Sequence, residues 1–185
     1  MKHSRKLISN CTVPRSIALL FTALSCVPVA ASADEPAFTM TTITDSAHGA
    51  EIAAGKYEQA IEKITAADAD GTYFNSTNLC VAYTKTGNVV DALTACDAAI
   101  EQANSMSFDR RSYSMSFDRQ RYSSKSLHER TRKKYLALAL SNRGVLHAAT
   151  GDVELARQDF VEALGVSARS SVAKANLARL DKGEA

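Results

Sequence analysis

The chain has 185 residues, 45% of them hydrophobic, with 8 Gly, 3 Pro and no Trp. That length holds one domain plus a targeting segment, and an Ala-rich, aromatic-poor composition favours helices packed through small side chains over a sandwich of strands. The formal net charge is +2, a sum that hides two segments of opposite sign.

Residues 1–33 read as a secretory signal. Lys2, Arg5, Lys6 and Arg15 give a basic start, and no acidic residue precedes Asp34. An apolar run from Ile17 to Val29 ends at Ala31-Ser32-Ala33, a small-x-small cleavage site. The run is short for a permanent span, which takes about 20 residues; a retained anchor is the alternative. Lipid attachment at Cys26 ranks lower because Ala23-Leu24-Ser25 fits a lipobox poorly. Cleavage near Ala33 predicts a periplasmic or secreted protein with 18 basic and 20 acidic side chains, net −2. Residues 34–46 are expected to be a flexible N-terminal segment.

From there the chain repeats itself. Gly55, Ala60, Ile64 and Ala67 are matched in spacing by Gly87, Ala92, Cys96 and Ala99, and again by Gly151, Ala156, Phe160 and Ala163. The last three members of each set share one helical face, and the glycine ends the preceding helix. Asn88 and Asp152 directly follow two of the glycines and are expected to cap the next helix. A second signature, Asn-x-small, occurs at Asn78-Leu79-Cys80, Asn142-Arg143-Gly144 and Asn176-Leu177-Ala178. Asn142 and Asn176 are 34 residues apart, and Arg143 stands where an apolar residue is expected. The small residue is where the first helix of a pair must approach the second. A generic helical bundle with accidental Ala periodicity is the competing explanation.

These motifs resemble the tetratricopeptide repeat family over roughly residues 47–182, an insertion excepted. The resemblance implies an all-α fold, a short solenoid of antiparallel helix hairpins. Residues 47–103 form hairpins, with a short leading helix because Ser46–Ala54 lacks the Asn signature. Residues 104–125 form a flexible basic insertion, and 126–183 a further hairpin plus a C-terminal capping helix. The family's concave face usually binds peptides. Members that clamp a peptide carboxylate add basic residues one turn before the Asn, where this chain has Phe74 and Leu138. The resemblance therefore implies a protein or peptide partner held by backbone hydrogen bonds and apolar contacts. Its site is a face containing Asn78, Val81, Lys85, Leu138, Asn142 and Val145. Alternatively, Asn78 and Asn142 only bond between helices and set hairpin geometry.

Within the insertion, residues 105–113 are duplicated at 114–122. Residues 105–135 carry nine basic and three acidic side chains. Arg110, Arg111, Arg119, Arg121, Arg130, Arg132, Lys133 and Lys134 form a candidate electrostatic patch for an anionic membrane surface or an acidic partner. This supports a second reading, an envelope-organising protein that makes contact through the insertion; a merely solvated loop is the plainer account. Export argues against nucleic acid as a partner. From about Lys125 the pattern becomes helical.

Cys80 and Cys96 lie 16 apart, on facing helices of one hairpin and equidistant from its turn near Asn88. They are either bridged or two buried thiols. The histidines His48, His128 and His147 follow no zinc-ligand spacing. With no phosphate loop and no nucleophile–base arrangement, neither catalysis nor a cofactor or metal is expected. The expected function is that of an exported adaptor.

Overall fold

Gly55, Gly87 and Gly151 each stop a helix in the same way. Their φ values are 76°, 77° and 85°, a left-handed conformation open to glycine at no steric cost. At Gly87 the backbone N–H of Asn88 donates to the Tyr83 carbonyl and that of Gly87 to Thr84. The same two bonds recur as Asp152 to His147 with Gly151 to Ala148, and as Lys56 to Glu51 with Gly55 to Ile52. Three helix ends therefore carry the paired bonds of a Schellman motif, which satisfy otherwise orphaned carbonyls.

The structure, a computed structural model, describes residues 38–67, 71–106 and 121–183, the side chains of 121–126 excepted. Among the described residues there are seven helices and no strand: α1 Gly49–Ala53, α2 Tyr57–Ala67, α3 Tyr73–Thr86, α4 Val89–Ser105, α5 Arg121–Ala149, α6 Val153–Val166 and α7 Ser171–Asp181. The fold is all-helical, and α1 has only five residues. No helix among the described residues is long and apolar enough to cross a membrane. The signal segment 1–33, and with it Cys11 and Cys26, lies outside the described residues, as do residues 107–120.

Each helix packs on its neighbour in sequence, and α1 also touches α3, α3 touches α5, and α5 touches α7. The even-numbered helices make no such contacts with one another among the described residues. Odd helices thus form one closely spaced layer and even helices a second, wider one.

Small residues set the spacing between layers. Cys80 on α3 faces Cys96 on α4, joined as a disulfide with Cα atoms 4.8 Å apart. Gly144 on α5 faces Phe160 on α6 at the same separation in sequence. A Cβ at Gly144 would lie 2.6 Å from the Phe160 ring, so glycine is what lets the fully buried ring lie against the helix. Burying such a ring contributes roughly 1.5–3 kcal/mol. Ala178, the third small residue of the signature, has no helix opposite it among the described residues and is exposed.

Local caps follow the sequence in part. Asn88 caps α4 by accepting from the Asp91 N–H, and Ser170 caps α7 by accepting from Ala173. Asp152 caps nothing; its carboxylate instead accepts from the Thr150 hydroxyl. Arg143 neither disrupts packing nor turns away into solvent. Its guanidinium grips Asp159 at 2.9 and 2.7 Å and reaches Asp97 at 2.8 Å, tying α4, α5 and α6 together. Helix α5 begins at Arg121, four residues before the sequence pattern turns helical.

Candidate functional site

Asn78, Asn142 and Asn176 stand on α3, α5 and α7, all in the odd layer, and each is fully buried. A buried carboxamide left unpaired costs about 1–3 kcal/mol, so its partners matter. The partners are not on a neighbouring helix. The Ile43 N–H donates to the Asn78 side-chain oxygen at 2.9 Å, while the Asn78 amide donates to the Ile43 carbonyl at 3.1 Å. Thr41 makes the same pair with Asn142 at 2.8 and 2.9 Å, and Thr39 with Asn176 at 2.9 and 2.8 Å.

Six hydrogen bonds therefore hold alternate residues of one segment, which runs opposite to the order of the helices. Gripping every second residue from one side is the geometry of an extended chain, whose successive side chains point to opposite faces. Residues 34–46, expected to be flexible, thus contain a pinned strap, Phe38–Ile43. The reason is chemical: a stretch rich in Thr carries no helical period of its own, and its order is supplied by amides more than 30 residues away.

Apolar contacts fix the register. Phe38 stacks on Phe160 with ring centroids 6.2 Å apart. Met40 packs against clusters that include Val81, Leu146 and Val145. At the far end, Ser46 Oγ donates to the Ile43 carbonyl at 2.7 Å and accepts from Asn78 at 2.7 Å. Gly49 then admits the strap, since a Cβ there would sit 2.0 Å from the Ile43 carbonyl oxygen.

The residues expected to form the face divide accordingly. Asn78 and Asn142 grip the strap, and Val81 and Val145 are buried beneath it. Leu138 is half-buried and lines a neighbouring cavity, whereas Lys85 is exposed near the end of α3. Asn176 completes the ladder and was legible in the repeat, where it shares the Asn-x-small signature. The strap itself carries no such signal.

The cavity, of about 360 Å³, lies beside Thr41 between α5 and the start of α7. Arg130, Lys134 and Leu138 line it, and with Asn142 they recur every four residues along one stripe of α5. Arg169, Ser141 and Ser171 are also part of its wall. The candidate electrostatic patch is thereby divided. Arg130 and Lys134 face this cavity, whereas Arg132 and Lys133 pair with Glu129 at 2.9 and 3.7 Å. The Arg132 guanidinium hydrogen-bonded to Glu129 holds that carboxyl below its usual range. Arg110, Arg111 and Arg119 lie outside the described residues, and Arg121 only opens α5.

The sequence matches no protein-family model, no curated protein and no solved structure.

Proposed function

We propose that the protein is an exported adaptor of tetratricopeptide-repeat type, which binds extended protein segments through a ladder of asparagines on its concave, odd-helix layer. The observation that carries this reading is the set of six bonds from Asn78, Asn142 and Asn176 to alternate backbone groups of Phe38–Ile43. Carboxamides that pair with both N–H and C=O of a residue read backbone rather than side chains, so they accept many sequences. In this reading the strap is a resident ligand, and a partner segment enters the groove by replacing it. The two-layer stacking and the repeated Schellman ends support the solenoid. The Cys80–Cys96 bridge supports an oxidising compartment after cleavage near Ala33.

The test uses the mature chain carrying Gly49→Ala, which forces the strap away from α1. A labelled peptide of the strap sequence, Phe38 to Asp45, is titrated against it and against the unchanged chain. Binding to the Gly49→Ala chain is expected to be tighter, and Asn142→Ala in that background is expected to weaken it about tenfold, the loss of about 1.4 kcal/mol. Peptide binding indifferent to Asn142 would overturn the reading.

A further inference from the structure

The cavity beside Thr41 has a chemistry that the ladder does not use. Arg130, Lys134 and Arg169 line it, and none of its lining residues is acidic. Among the described residues, no carboxylate forms an ion pair with any of the three. The wall also includes Ser171, the first residue of α7, where unsatisfied N–H groups and the helix dipole favour negative charge. These features alone describe a basic surface. Ser141 adds an independent observation: it lines the same cavity, is only 2% exposed, and its hydroxyl has no hydrogen-bond partner. A buried hydroxyl without a partner costs free energy, and an oxyanion in the cavity supplies the acceptor it lacks.

We infer that this cavity is a subsite for the side-chain carboxylate of an acidic residue, carried by an extended segment in the register of Thr41. The Asn142 bonds fix the backbone at that position at 2.8 and 2.9 Å, and Thr41 itself lines the cavity. A longer acidic side chain in its place enters among Arg130, Lys134 and Arg169. Tethering favours such a carboxylate over a free ion, because the clamp has already positioned it. The inference rests on the groove reading for its natural ligand and extends it, since a ladder that reads only backbone gains selectivity for acidic segments.

The strap allows the test within the full mature chain. Thr41→Glu is compared with the neutral Thr41→Gln by thermal unfolding. The Glu variant is expected to melt about 2–4 °C higher, with the gain shrinking as salt rises and vanishing in a Lys134→Gln/Arg169→Gln background. Equal melting of the Glu and Gln variants, or a gain that survives loss of both cations, overturns the inference. Inorganic phosphate is added to the unchanged chain as a second arm. Stabilisation by phosphate without a Glu gain means a free-oxyanion site and also overturns it. The strap peptide and its Glu-containing version are then titrated against the Gly49→Ala chain, where the Glu version is expected to bind about tenfold tighter. Equal binding defeats the subsite and leaves the groove standing. A Glu gain in the strap with no binding of either peptide defeats the groove and leaves the subsite.

Discussion

Asn142 closes a ring of two hydrogen bonds with the backbone of Thr41, 101 residues away in sequence. Asn78 and Asn176 repeat the arrangement on Ile43 and Thr39. A peptide backbone in water satisfies its own polar groups at little cost, so such rings hold the strap only where water is excluded. Phe38 and Met40, the neighbours of Thr39 in the chain, anchor the strap by packing on the buried cluster around Phe160 and Val145.

Replacing Asn142 by Ala removes both bonds and strands the Thr41 N–H and C=O. The expected cost is about 2–3 kcal/mol in denaturant unfolding. Asn142→Asp is expected to cost at least as much, because a carboxylate cannot donate to the Thr41 carbonyl. Amide exchange should accelerate at Thr41 in both variants while the α6 amides stay protected. Unchanged exchange at Thr41 would mean that the ladder does not hold the strap.

Among the described residues, Arg143 is the only cation in contact with Asp159, apart from a His147 nitrogen at 3.8 Å. Asp159 is 3% exposed, so Arg143→Met leaves a buried carboxylate without its main partner. The expected loss is about 3 kcal/mol. Adding Asp159→Leu to the same chain should recover at least half of it, since removing both charges also removes their desolvation cost. A double-mutant cycle by urea unfolding measures the recovery; additive losses would show that the pair is not coupled.

The Cys80–Cys96 bridge closes a loop across one hairpin with a sequence separation of 16. Loop-closure entropy for that length is worth about 3 kcal/mol. Reduction, or Cys80→Ala with Cys96→Ala, is expected to lower stability by about 2–3 kcal/mol without unfolding the chain. The α5–α6 hairpin, which packs Gly144 against Phe160 at the equivalent place, needs no bridge. Equal denaturation midpoints with and without reductant would contradict this.

Tyr73 is 4% exposed and its hydroxyl donates to the Tyr135 carbonyl at 2.8 Å. Burial pushes its pKa well above the ordinary tyrosine range. The neutral form is favoured in the fold, so its contribution is complete below about pH 10, the unfolded value, and is lost as pH rises beyond it. Spectrophotometric titration should find a tyrosine whose ionisation coincides with alkaline unfolding. Tyr73→Phe should abolish that late step and cost about 1 kcal/mol at neutral pH.

Much of the framework is a property of the sequence by itself. Helix faces are written in Ala60–Ile64, Ala92–Cys96 and Ala156–Phe160, because a period of 3.6 residues converts spacing directly into a buried stripe. Glycine turns at Gly55, Gly87 and Gly151 are equally local, since only the backbone at those residues decides them. Asn78 and Asn142 were recognisable as members of a repeated signature. Their partners were not. Thr39, Thr41 and Ile43 bear no period or motif, and a chain segment that reads as loose becomes ordered only through atoms brought to it by α3, α5 and α7. The same holds for charge. In sequence Arg130, Arg132, Lys133 and Lys134 form one run, yet helical rotation sends two to the cavity beside Thr41 and two to Glu129, while Arg169 joins from another element. Arg143, too, looked misplaced until Asp97 and Asp159 met it from two other helices. Sequence alone determined the buried helix faces and the three glycine ends, which depend on neighbours a few residues away. The tertiary structure decided what the asparagines hold and where the charges gather, because those depend on groups that meet only when the chain is folded.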